Sequence, residues 1–278
     1  MMSSVQMCLF FYINYIEELY MKLGLCTIAF RDRPLEEVIS IAADYGFDGI
    51  EIWGQEPHMP ETYDSEYIAH VRKLIEGKDL EVSAYGSYVN PLLDRHQQHF
   101  EEAYKIAEGL GTNLVRVWSK GGSSKTITTD TKQTIFFRFA SLAHWAQFRD
   151  LTLGLEMHNN NFTDSIDSIL ELLEYVRVPA IKTYFQPSFR SDADDPYETV
   201  EKLGSHIVNV HAQNANADGQ GCAIADGVVD YEKIVQKLAD IGYNNYIEIE
   251  FLHGDDKLEA LQRDRDYLAS LIDTIEAS

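Results

Sequence analysis

Cysteine is scarce in this chain, and its spacing excludes the structures that paired cysteines build. Only three cysteines occur in 278 residues, at Cys8, Cys26 and Cys222, and no Cys-x-x-Cys motif is present. An odd number of widely separated cysteines indicates neither a disulfide framework nor a thiolate zinc site. We therefore expect a protein of the reducing cytoplasm, with otherwise ordinary globular composition.

Basic residues are also few, and this deficit limits the partners of the protein. The chain has 23 Lys and Arg against 45 Asp and Glu, a formal net charge of −22 at pH 7. A charge of this sign repels nucleic acid phosphates and anionic membrane surfaces. We therefore expect a small-molecule partner, with no nucleic acid and no membrane.

Long hydrophobic runs are absent as well. The most apolar run, residues 7–12, is far shorter than the roughly 20 apolar residues that span a bilayer. No Lys or Arg precedes it and no small-residue cleavage site follows it, so it does not match a signal peptide. Strand-like sequence begins afresh at Met21. The sequence thus predicts an N-terminal extension over residues 1–20 and a single domain over residues 21–278.

Within that domain, short apolar runs alternate with segments of helical periodicity. The repeat is about 30 residues, the length of one strand–helix unit. Eight strands are predicted, at Lys22–Thr27, Gly49–Trp53, Leu80–Tyr85, Asn113–Trp118, Thr152–Met157, Ala180–Phe185, Ile207–Ala212 and Tyr246–Phe251. Helix candidates include Leu35–Tyr45, His99–Gly109, Ser165–Tyr175, Tyr231–Ile241, which Asp230 would cap, and Lys257–Ile275.

Strict alternation of strand and helix predicts a parallel sheet, and eight units close it into a (β/α)₈ TIM barrel. The alternative is an open doubly wound sheet, which a Gly-x-Gly-x-x-Gly motif after an early strand would favour. No such motif is present, and no linker rich in Pro, Gly or Ser divides the chain. The sequence therefore predicts an α/β barrel in one domain.

Polar residues gather at the ends of the last four predicted strands, where barrel enzymes place their active sites. They are Glu156 and His158, Gln186, His211 and Glu250. The two-residue period of a strand puts Glu156 and His158 on one face. Carboxylates inside a barrel are costly unless they are paired or bind a cation. The pattern therefore predicts a divalent cation at the barrel mouth.

Several segments, taken in order, resemble the sugar isomerase/epimerase superfamily of xylose-isomerase-like barrels. The resemblance runs over nearly all of residues 21–278. It is carried by Lys22-Leu23-Gly24-Leu25, Gly46-Phe47-Asp48-Gly49-Ile50-Glu51, Leu155-Glu156-Met157-His158, Val208-Asn209-Val210-His211, Gly227-Val228-Val229-Asp230-Tyr231 and Gly242-Tyr243 leading to Glu250.

The resemblance implies a divalent metal site. Its ligands would be Glu156, Gln186, His211 and Glu250, binding one ion of Mn, Mg, Co or Zn. Gln186 stands where the family has Asp, so it offers a neutral amide oxygen in place of a carboxylate. Three other positions also depart from the family pattern. Phe189, Asn214 and Ala217 stand where His, an acidic residue and Arg are common.

The resemblance also implies an enzyme, an isomerase or epimerase acting on a ketose sugar or sugar phosphate. Such an enzyme transfers a proton next to a carbonyl through an enediolate. Glu156 and Glu250 would carry the proton. The residues expected to contact substrate are Glu51, Trp53, Arg116, Trp118 and His158.

Two other functions remain open at this stage. An inosose-type dehydratase would eliminate water from the same intermediate, and a catalytically inactive sugar-binding protein would accommodate Gln186 and the missing Arg. An apurinic endonuclease shares the barrel, but the net charge of −22 argues against DNA binding. Barrels of this kind often pair, so a homo-oligomer is expected.

Overall fold

The computed structural model describes residues 21–277, and its centre is a closed barrel of eight parallel strands. These are β1 (Lys22–Cys26), β2 (Gly49–Trp53), β3 (Glu81–Gly86), β4 (Leu114–Val117), β5 (Thr152–Leu155), β6 (Ile181–Phe185), β7 (Ile207–Ala212) and, after a hairpin of β8 (Asn214–Ala215) and β9 (Gly221–Cys222), β10 (Tyr246–Ile249). Neighbours in the barrel follow chain order, and β10 closes the ring between β7 and β1. The predicted (β/α)₈ fold is confirmed, whereas the predicted extension at residues 1–20 lies outside the described residues.

One α-helix follows each barrel strand. The helices are α1 (Leu35–Asp44), α2 (Ser65–Glu76), α3 (His96–Leu110), α4 (Thr129–Phe148), α5 (Ile166–Val176), α6 (Pro196–Leu203), α7 (Tyr231–Asp240) and α8 (Lys257–Glu276). The predicted cap of α7 is confirmed, since the Asp230 carboxylate accepts hydrogen bonds from the backbone N–H groups of Glu232 and Lys233. Over residues 21–277, no helix combines the length and apolarity that crossing a membrane requires.

The apolar core lies between the barrel and the helices. Alternate strand residues point outward into it, as the two-residue period of a strand requires. Leu155, Met157 and Ile249 are buried in this core. The remaining alternate residues of these strands therefore point into the barrel.

The inside of the barrel is polar. Glu51, Arg116, His211 and Glu248 are buried there, each with 0–1% of its surface exposed. Glycine on a neighbouring strand makes room for a large side chain of this kind. A Cβ atom at Gly24 would lie 2.7 Å from Cγ of Glu248, closer than packed atoms approach.

Two barrel strands end two residues earlier than the sequence predicts, and this places the acidic residues at the rim. β5 ends at Leu155 and β10 at Ile249, whereas the predicted strands extended two residues further. The next backbone N–H groups still bond to the neighbouring strands, from Glu156 to the Val117 carbonyl at 3.0 Å and from Glu250 to the Ala212 carbonyl at 3.3 Å. Both carboxylates therefore begin at fixed backbone positions at the barrel mouth.

The hairpin after β7 was not predicted, and Asn214 organises it. The Asn214 amide donates to the carbonyls of Ile224 and Val229 at 2.8 and 2.7 Å and accepts from the Val229 N–H at 3.1 Å. Gly227 packs so closely that a Cβ atom there would lie 2.1 Å from the Asn214 side chain. The residue that stands where the family often has an acid therefore holds the loop in place.

Replacement of Gly154 by Ala tests the packing inside the barrel. A Cβ atom at Gly154 would lie 2.3 Å from the buried ring of Tyr184. We expect Gly154→Ala to lower the free energy of unfolding by about 1–3 kcal/mol, the usual cost of overpacking a core. Urea unfolding measures this loss, and it should shrink in a Tyr184→Leu background. A loss of equal size in both backgrounds would show that the clash is not its cause.

Candidate active site

A cavity of about 300 Å³ opens at the C-terminal end of the barrel. His211 is fully buried below it and contacts residues that line it. Glu51 and Trp53 were expected to contact substrate, but they are not among the described residues that line this cavity. Six residues that were predicted to bind metal or substrate do line the cavity: Arg116, Trp118, Glu156, His158, Gln186 and Glu250.

Three of the four predicted metal ligands converge at the bottom of this cavity. One oxygen of Glu156, one ring nitrogen of His211 and one oxygen of Glu250 all lie within 4.8 Å of one another. Nδ1 of His211 is 3.4 Å from Oε1 of Glu250. Strands that are far apart in sequence thus bring these donor atoms to one point.

The fourth predicted ligand, Gln186, directs its oxygen toward the same point. Its side-chain NH₂ donates to the backbone carbonyl of Met157 at 2.6 Å, and this bond fixes which way the amide faces. Oε1 then lies 3.3 Å from Nδ1 of His211. The amide therefore presents an acceptor where the family pattern has a carboxylate.

Glu51 holds the other side of the His211 ring. Its Oε2 is 3.2 Å from Nε2 of His211, and both side chains are fully buried. Arg116 lies between two carboxylates, 3.0 Å from Oε1 of Glu51 and 3.0 Å from Oε2 of Glu156. This chain of contacts fixes the His211 ring and links it to the acid that lines the cavity.

These contacts shift the pKa values of the buried groups. Burial opposes ionisation of Glu51, but Arg116 and His211 outweigh it and lower the pKa of Glu51 to about 2. Burial likewise opposes a charge on His211, yet the carboxylates of Glu250 and Glu51 raise its pKa to about 10. Burial, together with the charge of Glu156, raises the pKa of Glu250 to about 7 against the influence of His211.

The four residues fit a divalent cation. They supply two carboxylates, one imidazole nitrogen and one amide oxygen, a donor set that suits Mg²⁺, Mn²⁺, Co²⁺ or Zn²⁺. Oε2 of Glu250 is buried and has no hydrogen-bond partner among the described residues. Without a metal, the proton on His211 supplies positive charge at this point. A cation bound by Glu156, Gln186, His211 and Glu250 would replace that proton.

A second group of metal-binding residue types lies deeper in the barrel. It consists of Cys26, Glu51, Glu248 and the opposite side of His211, all buried. Burial raises the pKa of Glu248 to about 8, and the Ser83 hydroxyl donates to its carboxyl group. None of these four residues is among the described residues that line the cavity at the barrel mouth. The deeper group therefore supports the site from below.

Aromatic rings form one side of the cavity. Trp118 stacks on Tyr88 with ring centroids 5.6 Å apart, and His158 meets the same indole at 5.1 Å. The indole N–H of Trp53 donates to the Tyr88 hydroxyl at 2.8 Å, so Trp53 positions a residue of the lining. Tyr88 was not predicted, although it follows the end of β3 by two residues and the rule of strand ends applies to it.

Other proteins share this architecture. The model of the family described as xylose isomerase-like TIM barrel matches residues 39–271. A 3-dehydroshikimate dehydratase from Bacillus anthracis is 27% identical over 248 residues, covering 79% of this chain and 88% of that protein. A fructoselysine 3-epimerase from Escherichia coli O157:H7 is 22% identical over 255 residues, covering 84% of this chain and 90% of that protein.

Solved structures agree with this assignment of the fold. The probable 3-DHS dehydratase involved in petrobactin synthesis from Bacillus anthracis superposes with a TM-score of 0.77 at 24% identity, covering 90% of this chain and 99% of that one. A xylose isomerase-like TIM barrel protein from Mycobacterium smegmatis, in complex with magnesium, gives a TM-score of 0.72 at 16% identity and coverages of 92% and 98%. The match of the family model over residues 39–271 shows that the chain belongs to the xylose isomerase-like TIM barrel family.

Proposed function

We propose that this protein is a metal-dependent isomerase or epimerase that acts on a ketose sugar or sugar phosphate by proton transfer next to the carbonyl group. One observation carries the proposal. Glu156 and Glu250 both line the cavity, and their carboxylate oxygens lie within 4.8 Å of each other and of His211. Two carboxylates at one opening are what removal and return of a proton requires.

Glu156 and Glu250 reach the cavity from different sides. They follow β5 and β10, which are separated in the barrel by β6 and β7. One carboxylate can therefore take a proton from one face of a bound substrate while the other returns it elsewhere. A pKa of about 7 for Glu250 suits a group that gains and loses a proton near neutral pH.

The remaining residues would bind and orient the substrate. Arg116 keeps Glu156 in position through their 3.0 Å contact. Trp118 and Tyr88 offer flat apolar surfaces for a carbon chain or a sugar ring, and His158 lies beside them. A divalent cation held by Glu156, Gln186, His211 and Glu250 would stabilise negative charge on the substrate oxygens as a Lewis acid.

Dehydration is the second candidate function. The dehydratase from Bacillus anthracis is the relative with the higher identity of the two compared above, 27% against 22% for the epimerase. A dehydratase would use the same first step, abstraction of a proton next to a carbonyl, and then expel a neighbouring hydroxyl group as water. The same two carboxylates would act as base and acid.

The choice between these functions can be tested directly. We expect turnover when free and phosphorylated ketoses and 3-dehydroshikimate are incubated in D₂O with Mn²⁺, Mg²⁺ or Co²⁺ added in turn. For an isomerase or epimerase, NMR would show deuterium at a carbon next to the carbonyl together with a moved or inverted centre. For a dehydratase, it would show loss of water, and the carbon that lost its proton would gain no deuterium. Binding of a sugar without deuterium incorporation or turnover would instead support a sugar-binding protein.

Replacing the two cavity carboxylates should abolish this chemistry. We expect Glu156→Gln and Glu250→Gln each to lower kcat by about 10²–10⁴-fold, because each removes a proton carrier. Glu108→Gln is the matched control, since Glu108 is an exposed acid near the end of α3 and lies outside the cavity lining. The amide oxygen of this variant can still accept the hydrogen bond from the Tyr104 hydroxyl, so turnover should stay within about 3-fold. Equal losses in all three variants would contradict the assignment.

Metal binding should release protons. A bound cation needs a neutral His211 and an ionised Glu250, whereas at pH 7 the metal-free protein holds a proton on His211 and a partial proton on Glu250. We expect release of about 1–1.5 protons per Mn²⁺ at pH 7 and an affinity that rises with pH up to about pH 10, most steeply below about pH 7. Calorimetry in two buffers of different ionisation enthalpy measures the release.

His211→Asn and His206→Asn form a matched pair for this experiment. His206 lies in the turn before β7, at the opposite end of that strand from the site. We expect His206→Asn to bind Mn²⁺ like the unaltered protein and His211→Asn to lose binding. Metal binding without proton release, or unchanged binding by His211→Asn, would overturn the ligand assignment.

A further inference from the structure

The outer face of α4 exposes large aromatic side chains. Phe148 is 88% exposed and Phe137 is 70% exposed, and Trp145 beside them is 39% exposed. Exposed aromatic residues that form a contiguous patch are unusual on a monomer and mark interaction surfaces. Trp145 is anchored at the edge by the Phe100 ring, at a centroid distance of 5.8 Å.

The exposed residues form one stripe along the helix. Phe137, Ser141, His144 and Phe148 are spaced by four, three and four residues, which places them on a single face of an α-helix. We call this stripe, with Trp145, the α4 face. The centre of the face carries the smaller side chains of Ser141 and His144, and its two ends carry Phe137 and Phe148. This shape leaves room for a second helix to lie close against it.

The charge of the α4 face differs from that of the whole protein. Residues 133–148 contain no Asp or Glu, although the chain has 45 of them and a net charge of −22. The single cation in this segment, Arg138, turns away and donates to the carbonyl of Pro91 at 2.7 Å. Ion pairs flank the segment at both ends, between Lys132 and Glu171 and between Arg149 and Glu101.

We propose that the α4 face binds the α4 face of a second copy of this chain. Two strongly acidic molecules repel each other, so they can meet only where carboxylates are absent. In a two-fold contact the helices run antiparallel, and Phe137 of one copy meets Phe148 of the other. The same two-fold axis pairs Ser141 of one copy with His144 of the other. Residues 137 and 148 have the same midpoint along the helix as residues 141 and 144, so one axis relates both pairs.

The size of the patch sets the strength of the contact. Three aromatic side chains with these exposures bury about 400 Å² per copy, or roughly 800 Å² in total. This area is smaller than that of a standard specific interface and is typical of weak, transient contacts, so we expect a dimer that forms only at high protein concentration. The α4 face lies on the side of the barrel, away from the cavity, so the dimer forms independently of the proposed function.

Charge-exchange variants test this pairing. The double variants Phe137→Glu with Phe148→Glu and Phe137→Lys with Phe148→Lys each place like charges where the two copies meet. Both positions are exposed, so the fold should tolerate the changes. Val228→Glu is the matched control, since Val228 is 57% exposed in the loop before α7. Analytical ultracentrifugation of the full chain from about 10 µM to about 1 mM would measure the mass in solution.

We expect the unaltered chain and Val228→Glu to dimerise with rising concentration, and each charged double variant to stay at the mass of one chain. Mixing the Glu and Lys double variants should restore a species of twice that mass, because Phe137 and Phe148 positions then carry opposite charges. A monomer at all concentrations would overturn the proposal. Dimerisation that survives in both double variants, or a different protein bound at this face with no self-association, would overturn it as well.

Discussion

The site depends on one imidazole ring held between two carboxylates inside the barrel. His211 is fully buried, with Glu51 at 3.2 Å from one nitrogen and Glu250 at 3.4 Å from the other. Burying charged groups costs several kcal/mol each unless they are paired. Arg116 and His211 compensate the charges of Glu51, Glu156 and Glu250 and let the barrel retain an acidic centre. Removing the ring would leave these acids without a common partner.

The charges around this ring balance in two alternative ways. Glu51, Glu156 and Glu250 carry three negative charges when ionised, and Arg116 carries one positive charge, so a neutral His211 leaves a net charge of −2. A divalent cation cancels that charge. Without the cation, a proton on His211 and one on Glu250 have the same effect, in keeping with their raised pKa values. A fourth carboxylate, at position 186, would leave an excess negative charge, and the amide of Gln186 avoids it.

Much of this architecture follows from the sequence, because strands, helices and caps are local features. The alternation of apolar runs predicts the barrel, and the rule that strand ends carry the site identifies Glu156, Gln186, His211 and Glu250. Other features depend on which strands are neighbours across the barrel. The role of Glu51 as the support of His211, and the indirect contact of Trp53 through Tyr88, require distances between residues far apart in the chain. Sequence periodicity carries no such information.

The bond between Gln186 and Met157 limits how this chain can change. The side-chain NH₂ of Gln186 donates to the Met157 carbonyl at 2.6 Å, and a carboxylate has no proton to donate at neutral pH. A single substitution to Asp would lose this bond and place a negative charge near a carbonyl oxygen. Exchange of the amide for an acid at this position therefore carries two costs, a lost hydrogen bond and a repulsive contact, unless a neighbouring group changes so that it supplies a donor.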